Sequence, residues 1–438
     1  MEKLKFRNIP GPKSKDLLQK AQKFEPACSL DQTPVVWDHG DGVWIWDVDG
    51  NPYIDFTSGV LVTNLGHSHK GLTKAIQKQA ERLQNTYSFP TPERIEAAER
   101  LVKTLPPHLT RVFYLTTGSE ATEAAIRVAR RYSQKTEILS FYGAFHGRTY
   151  GAMSVGGMRN IRNKFGEMVP GSVRAPYAYC YRCIYEKTCP DCGFYCIKVL
   201  DEHLRGNSNN NLGAVMVEPY QGAAGFIFPP DGWLKALEQW TRERDLVFIV
   251  DEVQSSFGRT GRMYAIEWED VKPDLLCLGK GLGSGLPVSA LAGTDPVLEA
   301  MDPGELSSTW GGNPLCSSAT LAVLTAIEQE NLSNRSLEMG NYLTPILHSL
   351  QEKYPCIGDV RGRALVQGLE IVEPDDGFSP SKELTRKIVF NAAERGLLLG
   401  KVGIFGNVIR IAPPLVIKKE EIDLAMEILE QSIALALD

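Results

Sequence analysis

The chain reads as an α/β protein, with a mostly parallel central sheet covered by helices and a smaller α+β lobe after it. Three observations predict this. Short apolar runs at residues 112–115, 138–141, 214–217, 246–250, 275–278 and 288–292 alternate with helical stretches. Strands without polar alternation are buried on both faces, as parallel strands with helical crossovers are. Beyond about residue 325 the texture changes to amphipathic helices at 319–329, 337–353, 382–394 and 419–436, with short strands between them. Ahead of the apolar runs, residues 35–56 alternate apolar and polar and break at Asp41-Gly42 and Asp49-Gly50, the pattern of a small antiparallel meander. The expected division is an N-terminal segment 1–75 carrying the meander, a large domain 76–325 and a small C-terminal domain 326–438.

Composition narrows the function. At 438 residues and 43% hydrophobic, the chain can bury a large core. Its 47 Lys plus Arg against 53 Asp plus Glu give a net charge of -6 with no long single-sign block, so neither nucleic acid nor an anionic membrane is an expected partner. Residues 1–10 lack the apolar stretch of a signal peptide, and no segment approaches a membrane helix. A cytoplasmic protein is expected. Nine cysteines in that setting read as thiols or ligands. Residues 172–211 are the least regular part, and Asn207-Ser-Asn-Asn-Asn211 reads as an exposed loop.

Chemistry concentrates where the apolar runs end, which is where ligands gather in an open α/β sheet. Lys280 follows the run 275–278 and is hemmed by Gly279, Gly281 and Gly283. A poorly solvated lysine is easier to deprotonate and can form an imine with an aldehyde. Asp251 ends the run 246–250, where a carboxylate can hold a pyridine nitrogen protonated. A Schiff-base lysine with a pyridinium-binding carboxylate is the pair that pyridoxal phosphate (PLP) requires. Taken singly, the two also fit a loop lysine and a helix-capping aspartate.

Thr116-Thr-Gly-Ser-Glu-Ala121 follows the run 112–115 and opens a helix. Free N–H groups and Gly118 make that start a phosphate cradle or an ordinary Ser cap. In Phe145-His146-Gly147-Arg148 the aromatic can stack on a cofactor ring, and the arginine can offer a planar fork to a carboxylate. Glu218-Pro-Tyr-Gln-Gly222 ends the run 214–217, and Val253 and Gln254 follow Asp251 closely enough to meet a ring face and its phenolic oxygen. Thr309-Trp-Gly-Gly-Asn-Pro314 supplies a hydroxyl and two glycines for a phosphate site.

In order and spacing these motifs resemble the class III, fold type I PLP-dependent aminotransferases. Asp55-Phe-Thr-Ser-Gly59, Gly66-His-Ser-His69 and Val408-Ile-Arg-Ile411 extend the match over nearly the whole chain. The resemblance implies that Lys280 is the Schiff-base lysine and proton carrier, and that Asp251 pairs with the pyridine nitrogen. It assigns the phosphate to Gly118 and Ser119, the two ring faces to Phe145 and Val253, and the phenolic oxygen to Gln254. His146 and Glu218 join the same cofactor-binding set. Thr309 is implied to reach the cofactor phosphate of a neighbouring subunit, hence a homodimer with shared sites, with a higher oligomer left open. Val60, Arg148 and Arg410 fall at substrate-binding positions, the two arginines matching the carboxylate-binding pair of 4-aminobutyrate aminotransferases. The implied reaction moves an amino group from an amino acid or ω-amino acid to a 2-oxo acid such as 2-oxoglutarate. A racemase or epimerase, or a dialkylglycine-decarboxylase-like enzyme, is the alternative.

Two departures bear on the substrate. In the 4-aminobutyrate and ornithine enzymes a glutamate follows Gln-Gly and pairs with the second arginine, whereas this chain has Ala223. An Arg410 not masked by that glutamate is implied, which favours an α-carboxylate, as in the family's decarboxylases and racemases. The decarboxylases, however, carry glutamine where Val60 stands and lack an arginine at the Arg148 position. Separately, Cys180, Cys183, Cys189, Cys192 and Cys196 form two Cys-x2-Cys pairs and a fifth thiol. That spacing is typical of zinc or iron-sulfur ligation, although five residues between the pairs is short for a zinc ribbon. Free thiols or a disulfide are expected, with a bound metal as the alternative.

Overall fold

The computed structural model describes residues 7–29 and 33–438. They form two compact units, one made of residues up to 70 together with 335–438, the other of residues 71–334. The first begins with the expected meander, β1 (Trp37–Asp41), β2 (Trp44–Asp47) and β3 (Pro52–Asp55), paired antiparallel. Its turns use Gly42 and Gly50 at φ +58° and +87°, a region that costs glycine nothing. The preceding helix Pro12–Phe24 has no cap of its own, and Asp49 accepts the N–H groups of Lys13 and Ser14 at 2.8 and 2.9 Å instead.

Residues 71–334 carry seven strands: β4 (Arg111–Leu115), β5 (Glu137–Phe141), β6 (Ser172–Ala175), β7 (Leu212–Val217), β8 (Val247–Asp251), β9 (Leu275–Leu278) and β10 (Ser289–Gly293). Their order is β4-β10-β9-β8-β7-β5-β6. The run from β6 to β9 is parallel, and β10 is antiparallel to both neighbours. Every apolar run of the sequence becomes one of these strands. The seventh, β6, lies inside the stretch read as irregular, because Ser172 and Arg174 interrupt its apolar pattern. An edge position tolerates them, and the Arg174 guanidinium donates to the carbonyls of Gly156 and Ser154.

β8 is buried along its whole length, and Phe248, Ile249 and Val250 are fully enclosed. Each stabilises by roughly 1.5–3 kcal/mol relative to an exposed side chain. Helix Gly118–Ser133 lays Ala121, Ala124, Ala125, Val128 and Ala129 into the same core, and their small size lets its backbone approach closely. Thr117 and Glu120 close its first turn as a capping box.

The C-terminal residues return to the first unit with β11 (Ile357–Arg363), β12 (Val366–Ile371), β13 (Leu397–Leu398), β14 (Gly400–Val402) and β15 (Val408–Ile411). Four of these make an antiparallel sheet in the order β11-β12-β15-β14. Helices Lys382–Glu394 and Lys419–Leu437 bury Ile388, Ala392, Ile422 and Leu429. β13 leaves that sheet to pair parallel with β3, Leu397 opposite Ile54 and Leu398 opposite Asp55. Residues 1–75 and 326–438, read as separate segments, thus share a sheet. A two-residue strand carries too little pattern for that pairing to be legible in sequence. Among the described residues no helix is long and apolar enough to cross a membrane.

Candidate active site

The carboxyl ends of β4, β5, β7, β8 and β9 face one cavity of about 180 Å³ within residues 71–334. β4 leads into Gly118 and Ser119, β5 into Phe145 and His146, β7 into Glu218, β8 into Asp251, Val253 and Gln254, and β9 into Lys280, and all of these line it. Lys280 begins a short 3-10 turn with its backbone at φ +44°. A non-glycine residue there stores strain, which persists where the surroundings over-determine it.

Asp251 is 6% exposed and has both oxygens engaged. Oδ1 accepts the Val253 N–H at 3.1 Å, and Oδ2 lies 2.8 Å from His146 Nδ1. Burial lowers the affinity of His146 for a proton, but the bond to Asp251 and the charges of Asp251 and Glu218 outweigh it and raise its pKa. The ring therefore holds a proton on Nδ1 toward Asp251, leaving its buried Nε2 without a protein partner. Glu218 accepts the N–H groups of Phe145 at 2.9 Å and Gly222 at 3.3 Å, tying together two loops of the cavity wall. Burial pushes its pKa up to about 7, His146 opposing and Asp251 adding to the shift.

Close approaches fix the rest. A Cβ on Gly118 would meet Val253 Cγ1 at 2.7 Å and one on Gly279 would meet it at 3.3 Å, so Val253 is wedged between the helix start and the lysine-bearing turn. The Ser119 hydroxyl accepts the Arg148 N–H at 3.1 Å, and Gly147, at φ +138°, lets the chain pass against it. Gln254 lies against Gly222, where a Cβ would come within 1.8 Å of its amide oxygen, and that buried oxygen has no protein partner.

Four expected residues lie outside this cavity. Arg148 is exposed, its guanidinium 5.8 Å from the Phe145 ring centroid. Thr309 sits in the exposed stretch before helix Pro314–Gln329 and does not line this cavity. Val60 and Arg410 belong to the other unit, where both border a cavity of about 290 Å³. There the Arg410 guanidinium lies across Gly400, whose Cβ would come within 2.5 Å of it. Val60 occupies a left-handed turn at φ +68°, a strained conformation for a β-branched residue.

A family model described as Aminotransferase class-III matches residues 27–433. The chain belongs to the class III aminotransferase family. Its relatives include an "Alanine/serine racemase" of Pyrococcus horikoshii, 36% identical over 97% of this chain and 91% of that protein. An "Acetylornithine aminotransferase" of Methanothermobacter thermautotrophicus is also 36% identical, over 95% of this chain and 98% of its own. Among solved structures, the ornithine aminotransferase of Toxoplasma gondii ME49 superposes with a TM-score of 0.85 at 30% identity, covering 96% and 95% of the two chains. This class III chain is a PLP-dependent enzyme of the transaminase type with the fold type I architecture.

The cavity fits that cofactor. The helix start offers unpaired N–H groups to a phosphate, and Asp251 stands beside a buried histidine that keeps it in place. Gln254 presents an amide edge with an unpartnered polar atom. We expect Gly222→Ala, by displacing Gln254, to weaken PLP binding about tenfold or more, measured by titrating cofactor-free protein. Unchanged affinity would remove Gln254 from the cofactor's contacts.

Proposed function

We propose that this class III enzyme transfers an amino group from an amino acid, with α-amino acids preferred over ω-amino acids such as 4-aminobutyrate, to a 2-oxo acid such as 2-oxoglutarate. The observation that carries the preference is Ala223, which lines the cofactor cavity with a methyl group. At that position the 4-aminobutyrate and ornithine enzymes hold a glutamate. When bound, PLP supplies the electron-poor pyridinium ring that takes up the electron pair released at the substrate's α carbon. Lys280, at the cavity's edge, would hold the cofactor and take the proton released at that carbon. Asp251 would hold the positive charge of the ring nitrogen, and His146, protonated toward Asp251, keeps the carboxylate oriented. Phe145 and Val253 would bracket the ring while Gly118 and Ser119 hold the phosphate. Arg148 and Arg410 would take substrate carboxylates. We also infer a homodimer acting in the cytoplasm, with Thr309, exposed and outside its own chain's cavity, serving the neighbouring copy.

A second reading is racemisation, in which the α proton leaves and returns on opposite faces without amino transfer. It draws on the same Ala223 and on relatives named as racemases, one from Pyrococcus horikoshii and one, a "Leucine/methionine racemase", from Thermococcus litoralis. The two readings separate in one experiment. A panel of L- and D-amino acids and ω-amino acids is offered with and without 2-oxoglutarate or pyruvate, and both product and chirality are followed. Amino transfer that requires the oxo acid supports the first reading; inversion without it replaces that reading with the second. Ala223→Glu should shift the kcat/KM ratio toward 4-aminobutyrate by about 10- to 100-fold, the scale of placing or removing one charged partner in a site. A wild-type enzyme that already prefers 4-aminobutyrate, with a variant indistinguishable from it, would end the role given to position 223.

A further inference from the structure

Away from the cofactor, five cysteines, Cys180, Cys183, Cys189, Cys192 and Cys196, line one small cavity of about 30 Å³ in residues 71–334. All five are free thiols. Among the described residues no three His, Cys, Asp or Glu side chains are arranged to hold a metal ion. The thiols are not equivalent. The Cys189 side chain is in hydrogen-bond contact with two others, Cys180 and Cys192. Cys189 and Cys192 also bracket one tight, non-helical turn, closed by Cys192 N–H to Thr188 O and Gly193 N–H to Pro190 O, both 2.9 Å. Both side chains line the same small cavity and touch, so side-chain rotation brings the two sulfurs to bonding distance. The opposite end of the cluster is anchored: Trp233 Nε1 donates to Cys196 Sγ at 3.2 Å.

We propose that Cys189 and Cys192 form a reversible disulfide, taking a low-molecular-weight disulfide such as oxidised glutathione as the oxidant. One protein thiolate attacks the oxidant, forming a mixed disulfide and releasing one small thiol. The second protein thiolate then attacks the protein sulfur of that mixed disulfide, closing the Cys189–Cys192 bond and releasing the second small thiol. Two protein S–H bonds are lost, one S–S bond of the oxidant is reduced, and the two protons leave with the two small thiols. Cys180, the exposed thiol of the cluster, lies outside that turn and is the competing partner for Cys189.

The test uses the PLP-loaded full chain, reduced, desalted and exposed to oxidised glutathione. It is then quenched in acid, alkylated and mapped by mass spectrometry without reduction. The expected product is a Cys189–Cys192 link, two hydrogens lighter than the thiol form and reversed by dithiothreitol. Cys189→Ser and Cys192→Ser should each lower the internal disulfide about tenfold or more, while Cys183→Ser leaves it in place. A glutathione adduct that never resolves would overturn the proposal, as would a dominant link to Cys180. So would stoichiometric zinc or iron in the purified protein that protects these thiols from alkylation. The wild-type map decides the matter even where a serine variant does not fold.

Discussion

Lys280→Ala is expected to lower kcat by at least about 10³-fold while the protein still folds and still binds PLP. The expected loss rests on the two functions proposed for this one amine, covalent attachment of the cofactor and transfer of the α proton, and general acid–base catalysis alone is worth about 10²–10⁴-fold. Retention of PLP follows from the rest of the cavity, because the helix start at Gly118, the Asp251 carboxylate and the Gln254 amide do not depend on the lysine. Folding should survive because Lys280 contributes a turn whose backbone strain, at φ +44°, alanine shares. The measurements are single-turnover kinetics, the absorbance spectrum of bound cofactor and the melting temperature. The covalent band of the lysine-bound cofactor should vanish with turnover and the melting temperature should stay close to wild type. Near-wild-type turnover in a verified variant would remove Lys280 from the chemistry.

How much of this was legible in the sequence differs between the sheet and its contents. Continuous apolar runs revealed six of the seven strands of the large sheet, because strands enclosed in its interior, parallel β5 and β7 to β9 and antiparallel β10 alike, have no polar alternation to hide them, and β4 keeps an unbroken apolar run after Arg111. β6 escaped because an edge strand can carry Ser172 and Arg174. The positions at strand ends were legible for a related reason. Residues such as Asp251 and Lys280 interrupt an apolar pattern, and the interruption marks where the chain leaves the sheet. Pairings between distant residues were not legible. Nothing in the spacing of 105 residues ties His146 to Asp251, and nothing in Glu218 announces that its carboxylate will hold the N–H groups of Phe145 and Gly222. The same holds for β13, whose pairing with β3 joins residues far apart in the chain. The cysteine spacing was visible, but the spacing alone could not separate a metal site from contacting free thiols.

Asp251→Asn should lower kcat about 10²–10³-fold, the usual effect of removing one preorganised charged group from a reacting centre. Asparagine keeps the shape of the side chain and can still accept the Val253 N–H, so the loss reports charge more than packing. The variant also carries a pH signature that a merely structural role would not. In the wild type His146 has a raised pKa, burial opposing and Asp251 supplying the largest lift. A histidine raised on folding contributes stability that is fully present below its unfolded pKa and is lost as pH rises through the folded one. Removing the Asp251 charge takes that contribution away. The difference in melting temperature between wild type and Asp251→Asn should therefore be widest at mildly acidic pH and should narrow as pH rises above the raised pKa of His146. Glu218 has its own raised pKa of about 7 and stays in both proteins, so its titration adds a slope to each curve. A companion His146→Asn variant separates the two effects by abolishing the narrowing while Glu218 continues to titrate. If Asp251→Asn keeps near-wild-type rates and its stability gap is flat from acidic to alkaline pH, then Asp251 neither holds the ring nitrogen nor charges His146, and the electrostatic centre of the site lies elsewhere.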